Sequence, residues 1–326
     1  LGDGGNISAS GIVSVLDSYG FLCDERGYKL GKVFLPKSVI YKYGLRDGDR
    51  ISGRADKNAA TDLFELRSVD LINGRSSADA ASEKSFIKAT ATYSEHRISL
   101  ASAGDYGRAA DVFCPLGNGH RAIIEISEDE NVEVEKLARA LEEQGIAALI
   151  LTCGCRPEDF NYLKDVCPCE IACNMFDENE QETLRTVDLA LSRAARLAEN
   201  GRDAAVILPS LTNAYNILGD EKTRQLFAYC KNTEDVRSVT LVALDDGRSG
   251  VAERYVKFAN CFLKVKDGKL DPYGSFSRQK ERLLSKKAAD RVKQLYSEHT
   301  TDLGEAISAA LKKSRTEEEF ILALGT

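Results

Sequence analysis

The stretch GIVSVLDSYGFLCD, residues 11–24, decides the reading of the N-terminal part of the chain. Its first half alternates apolar and polar side chains, the period-two pattern of a strand with one buried face. Similar short segments follow at close spacing: KVFLP (32–36), RISGRAD (50–56) and LFELRSVDLI (63–72). Gly20, Gly27, Gly31, Gly44 and Gly48 sit between or beside them. Many short strands separated by glycine turns predict a small all-β barrel. The exception is PKSVIYKYG (36–44), a short helix inserted between strands.

Tyr19 and Phe21 are two residues apart, so one strand presents both rings on the same face. Phe34 would stand beside them on an adjacent strand. Three clustered rings on a small barrel make a stacking platform for single-stranded bases, worth about 1–3 kcal/mol per base. Lys32, Lys37, Lys42, Arg46, Arg50 and Arg54 are candidates to follow the phosphates. The competing reading is that Phe21 or Phe34 simply fills the barrel core, and pattern alone leaves both open.

Residues 74–110 shift in composition: NGRSSADAASEKS is rich in Ser, Ala and charge, as linkers are. From about residue 111, strands alternate with helices. HRAIIEI (120–126), IAALILT (146–152), CEIACNMF (169–176), DAAVILPS (203–210), VRSVTLVAL (236–244) and ANCFLKV (259–265) read as buried strands. Between them, Val134, Leu137, Ala138 and Leu141 fall on one helical face, as do Leu184, Val187, Leu191, Ala194 and Ala198. Such alternation predicts a mostly parallel α/β sheet covered on both sides. The expected division is therefore 1–75 barrel, 76–110 linker and 111–326 α/β domain, with a helical tail from about Lys286.

The chain has 326 residues and a formal charge of −7. An acidic protein is a poor whole-surface binder of nucleic acid, but the charge is uneven. Residues 1–75 hold eleven Lys and Arg against ten Asp and Glu, a net of +1, so the acidity lies beyond the barrel. The longest apolar run, Ile146 to Leu151, is strand-sized, and no membrane contact is expected. The opening LGDGGNISAS carries no export signal, so a cytoplasmic location and reduced thiols are expected for the nine cysteines. Five of these fall between Cys153 and Cys173. Cys153, Cys155 and Cys169 are weak metal candidates, since C-x-C spacing is less typical of zinc sites than a gap of two to four residues.

Residues 11–24 with KVFLPKSVIYKYGLRDGDRISG (32–53) resemble the cold-shock-like, oligonucleotide-binding (OB-fold) domain of the bacterial transcription termination factor Rho family. The resemblance continues, in order, through DVFCPLGNGHRAII (111–124), CRPEDFNYL (155–163), 174–208 and LPSLTNAYN (208–216). It implies a five-stranded OB barrel followed by a RecA-like, P-loop-NTPase-type domain. It also implies single-stranded RNA as partner at Tyr19, Phe21 and Phe34, with Lys32 and Arg54 assisting. The family's arginine after the G-F-L segment is replaced by Cys23, which puts the family's base preference in doubt.

The resemblance also implies ATP and Mg²⁺, but the motifs depart from it. A phosphate loop needs G-x-x-x-x-G-K-[ST], for backbone approach, charge neutralisation and metal ligation. Here SEDENVEVEK (127–136) puts Asn131 at the glycine, Val132 at the lysine and Glu133 at the hydroxyl. Glu128, Asp129, Glu130 and Glu133 would repel a triphosphate; if no nucleotide binds, this acidic run reads as a solvated loop opening a helix. Pro209 replaces the metal-organising aspartate and Cys155 the carboxylate that activates water. In VALDDGRSGVAERY (242–255), Gly250 replaces the RNA-gripping lysine.

The expectation is a Rho-like RNA-binding pseudo-ATPase without a bound cofactor, a monomer or small oligomer in preference to a hexamer. The alternative is a protein-interaction module, possibly docking a Rho subunit, that no longer binds RNA. An active ATP-dependent helicase, as the family would suggest, ranks third.

Overall fold

The computed structural model describes residues 6–78, 84–127 and 130–324. The barrel strands are β1 (Asn6–Leu16), β2 (Tyr19–Cys23), β4 (Leu30–Leu35), β5 (Arg50–Lys57) and β6 (Phe64–Ile72); a two-residue β3 (Arg26–Gly27) interrupts the series. β1 pairs antiparallel with β2 and β5, β2 with β4, and β5 with β6. A parallel contact between β4 and β6 closes the barrel. Inward residues Val13, Leu22, Leu35, Ile51, Leu66 and Val69 form its core. The inserted helix α1 (Lys37–Tyr43) adds Val39 and Ile40 to that core. It stops at Gly44, whose positive φ of 60° lets its N–H reach back to the Ile40 and Tyr41 carbonyls.

The second body alternates strictly. Its elements run α2 (Asp105–Phe113), β7 (Arg121–Ile126), α3 (Glu130–Glu142), β8 (Ala147–Cys155), α4 (Pro157–Val166), β9 (Glu170–Met175) and α5 (Glu180–Glu199). They continue with β10 (Ala204–Leu208), α6 (Leu211–Tyr229), β11 (Val239–Asp245), α7 (Val251–Tyr255) and β12 (Cys261–Lys266). Three helices end the chain, α8 (Lys286–Glu298), α9 (Leu303–Lys313) and α10 (Glu317–Ala323). The parallel sheet runs β12-β7-β11-β10-β8-β9. One apolar core lies between the sheet and α2, α3 and the tail helices, the other between the sheet and α5 and α6. All four residues expected on the inner face of α3 are buried. On α5 the same holds for Val187, Leu191, Ala194 and Ala198, while Leu184 is half-buried. Among the described residues, no helix is long and apolar enough to cross a membrane.

The described part of the 76–110 stretch, expected as a linker, packs onto this second body. Phe86, Ile98, Leu100 and Tyr106 are buried, and α2 begins inside it at Asp105. Composition alone hides this, because the apolar anchors are scattered singly among polar residues.

Barrel and sheet are joined through buried polar groups. Arg193 of α5 donates to both Glu170 carboxylate oxygens at 2.8–3.1 Å, to the Gly48 carbonyl at 3.4 Å and to Asn73 Oδ1 at 3.2 Å. Glu170 also accepts from the Tyr28 hydroxyl at 2.7 Å. Burial pushes the Glu170 carboxyl up, and the Arg193 guanidinium outweighs it, so the group ionises below its usual range. β3 leaves the barrel and adds itself in parallel to β9, pairing Arg26 with Ile171 and Gly27 with Ala172.

The close approach falls at Gly48. Its φ is +80°, and a Cβ there would lie 2.4 Å from the Arg193 backbone nitrogen. Gly48→Ala is therefore expected to lower stability by about 2–4 kcal/mol, read as a lower urea midpoint. An unchanged midpoint would contradict this account of the seam.

Candidate nucleic-acid interface and the crevice of the parallel sheet

Side-chain alternation settles which way the three rings face. Leu22 and Leu35 point into the barrel, so Phe21 and Phe34, directly paired across β2 and β4, point out. Tyr19 joins them on the same face. The ring centroids are 6.0 Å apart for Tyr19–Phe21, 5.8 Å for Tyr19–Phe34 and 5.7 Å for Phe21–Phe34. Tyr19 is 42% exposed and the two phenylalanines are half-buried. The core-filling reading fails, because the core is complete without these rings.

The candidate cations separate into distinct groups. Lys32 precedes Phe34 by two residues on the same face and pairs with Asp62, both side chains being exposed. Such a pair is worth about 0–1 kcal/mol, so a phosphate can displace it. Arg54 is not brought to the rings. It stands two residues from Asp56 on β5, which is opposite Glu65 of β6, itself opposite Phe34, so β6 lies between Arg54 and the rings. Arg46 and Arg50 turn away to Glu199 at 3.0 Å and Glu25 at 2.5 Å. Lys37 and Lys42 lie over the rings of Tyr41 and Tyr43 on α1. Beside Phe34 on β6 stands Glu65, which with Asp56 holds Arg67. Cys23 is buried beneath α5, and burial, opposed by Arg185, pushes its thiol up to about 11.

In the second body, β7 lies between β11 and β12, so the sheet order reverses at its carboxyl end. Doubly wound sheets bind ligands at such a switch point. β7 ends at Ile126 and α3 starts at Glu130; Glu128 and Asp129 lie outside the described residues. Asn131 donates to Asp159 Oδ1 at 2.8 Å, and Asp159 also pairs with Arg156 at 2.8 Å. Val132 is 40% exposed. Glu133, expected as part of a solvated run, is instead buried, receiving the Tyr106 hydroxyl and Lys136 at 3.1 Å. The partner comes from α2, within the stretch whose packing composition did not reveal.

Cys155 closes β8 and is buried. Pro209 follows β10, and the next residue, Ser210, caps α6 by accepting from the Asn213 N–H at 3.3 Å. The sequence reading missed Asp245, the buried carboxylate ending β11. It accepts from the Thr212 hydroxyl at 2.7 Å and the Gly247 N–H at 2.9 Å, and burial raises its pKa. An acid directly after the apolar run VTLVAL was the available signal. Glu125, the second-to-last residue of β7 at this end, holds Lys264 at 2.8 Å.

The proposed thiols come together only in pairs, Cys155 with Cys173 and Cys167 with Cys169, and Cys153 faces the other core. Gly154 takes a φ of +69°, and the β8–β9 register shifts between Thr152 and Cys155. This bulge sends Cys153 into the core beneath α5 and α6, and Cys155 into the opposite core with Cys169 and Cys173. Among the described residues, no three His, Cys, Asp or Glu side chains are placed to hold a metal ion.

At the opposite, amino edge of the sheet lies a cavity of about 730 Å³ whose lining includes Tyr93, His120, Arg121, Lys231 and Arg278, and no carboxylate side chain. Arg121 is fixed by Asn260 Oδ1 at 2.8 Å. Burial lowers its pKa, and Arg278 acts in the same direction. These residues come from separate segments, so no local motif announces them.

Comparison with known proteins agrees with both halves. Residues 9–78 match the family described as Rho termination factor, RNA-binding domain. Transcription termination factor Rho of Streptosporangium roseum is 28% identical, with 72% of this chain and 66% of the relative covered. Rho of Mycobacterium leprae is 27% identical, with 96% and 60% covered. The chain thus spans 60–66% of the length of these two relatives. Among solved structures, an ATPase of a type III secretion system has a TM-score of 0.50 at 11% identity, covering 67% of this chain and 82% of that one. The ATP synthase subunit NeqB of Nanoarchaeum equitans has a TM-score of 0.52 at 14% identity, covering 72% of each. The chain is Rho-like, an OB barrel followed by an ATPase-type α/β fold.

His120 gives the second body a pH signature. Its Nδ1 accepts from the Gly117 N–H at 3.1 Å, and burial takes its pKa from an ordinary 6.5 down to about 4. A depressed base stabilises the fold above pH 6.5 and loses that contribution as pH falls towards 4. Urea midpoints should therefore fall more steeply between pH 7 and 4 in the wild type than in His120→Gln. Parallel curves would refute the assignment.

Proposed function

We propose that this Rho-like chain binds single-stranded RNA on the outer face of its barrel, with Tyr19, Phe21 and Phe34 stacking bases and Lys32 beside them. The observation carrying this reading is the outward triad: three rings in mutual contact, on a barrel whose core is already full. Leaving aromatic area open to water has a free-energy cost, which stacking against a base removes. The match of residues 9–78 to an RNA-binding domain supports the same ligand.

The second half of the proposal is that the ATPase-type domain neither binds nor hydrolyses Mg-ATP. Between Ile126 and the start of α3 the sequence offers no glycine to cradle phosphate. Val132 gives no charge where a lysine would neutralise phosphate. Glu133 is turned inward to Tyr106 and Lys136 instead of offering a hydroxyl to a metal. Cys155 and Pro209 supply no carboxylate at their strand ends. These replacements fall on three separate segments, so no single rearrangement restores the chemistry.

Two measurements test the two halves. In fluorescence anisotropy with a short single-stranded RNA, Phe21→Ala should weaken binding by about 1–3 kcal/mol, with little change in thermal midpoint because the ring lies outside the core. Equal affinities, or no binding by either protein, would overturn the RNA reading. In calorimetry, micromolar Mg-ATP should give no saturable heat; a saturable signal would overturn the pseudo-ATPase reading.

A further inference from the structure

The outer face that carries the rings continues under the second body. Cys23 follows Phe21 by two residues on β2, so both side chains leave the strand on the same side, about 7 Å apart. α5 covers Cys23, and Arg185 near the start of that helix reaches it: Nη1 lies 3.8 Å from Sγ. Arg185 is half-buried. A guanidinium carries five N–H donors, and a thiol is a weak acceptor for them. Among the described residues, no carboxylate stands at ion-pair distance from it.

Three acids of the seam already hold other cations, and Asp24 and Asp47 accept from backbone N–H groups. Glu178 holds Lys29, Glu170 holds Arg193, and Glu199 holds Arg46 and Arg196. The Cys23 thiol, pushed up to about 11 by burial against the opposing effect of Arg185, stays neutral at pH 7, so among the described residues Arg185 has no ionised partner in direct contact. Like charge is felt nearby: burial lowers the Lys29 pKa, Cys173 opposes this, and the Arg185 charge adds to the lowering. A cation with unfilled donors therefore stands at the rim of the aromatic platform.

We propose that Arg185 completes the RNA interface by donating to a phosphate oxygen of the strand whose bases stack on Tyr19, Phe21 and Phe34. The inference rests on the platform reading above and extends it: the α/β body supplies part of the binding surface. A guanidinium suits the task, since its planar fork matches phosphate geometry and it sheds water more readily than an ammonium.

The test is anisotropy with short oligouridylate and oligocytidylate over a series of KCl concentrations, for wild type, Arg185→Gln, Arg185→Lys and Phe21→Ala. Arg185→Gln should weaken binding to both oligomers about tenfold. It should also reduce the slope of log affinity against log salt by about 0.7, one phosphate contact. Arg185→Lys should keep the slope and lose part of the affinity, which decides the matter if the glutamine variant fails to fold. Wild-type affinity in the lysine and glutamine variants would overturn the inference. So would a loss confined to one oligomer at unchanged slope, which assigns the contact to a base edge. If Phe21→Ala weakens binding while the Arg185 variants do not, the platform stands and the inference falls. If the wild type binds neither oligomer, both fall.

Discussion

The pairing of Arg193 with Glu170 is the constraint on which the arrangement of the two bodies depends. Removing two charges from water is costly, and their attraction offsets that cost only when the remaining donors and acceptors are also filled. Here they are filled from three directions. Tyr28 and Gly48 come from the barrel, Asn73 from the turn after β6, and the ion pair itself from α5 and β9. Because every partner is needed, the orientation of α5 against the barrel is set to within the reach of a hydrogen bond. That orientation is what lays Arg185 over Cys23 and leaves the rings of the platform uncovered.

The same seam explains why cations counted along the sequence overstate the barrel's charge towards a ligand. Arg46 and Arg50 are drawn into pairs with Glu199 and Glu25, and Arg54 is separated from the rings by β6. The platform is thus more aromatic than electrostatic. A site of this kind holds bases by stacking and depends on few phosphate contacts, which makes any single uncompensated guanidinium near it disproportionately important.

What the sequence disclosed and what it hid follow a physical line. That Tyr19 and Phe21 share one face was legible, because pleating is a local property of one strand, but which side of the barrel that face takes was not. The parallel sheet was legible from apolar runs separated by amphipathic helices, and the buried face of α3 from its spacing. Contacts made by distant segments were not legible. Glu133 reads as exposed until Tyr106 of α2 is placed against it. Cys153 and Cys155 read as a pair until the Gly154 bulge turns them to opposite sides of the sheet. The anchors in 84–110 escape notice because each is a single apolar residue in polar surroundings, with no period to mark it.

β3 is only two residues long, yet it sits where the parallel sheet would otherwise end. β9 is the outermost long strand on that side, and its free backbone groups would form an adhesive border able to recruit strands of other chains. Arg26 and Gly27, with the Glu25 carbonyl accepting from the Ile171 N–H at 3.1 Å, occupy that border. The barrel therefore covers this part of the edge of the larger sheet. Undocking it would expose the β9 backbone groups there, the kind of edge at which strands of other chains add.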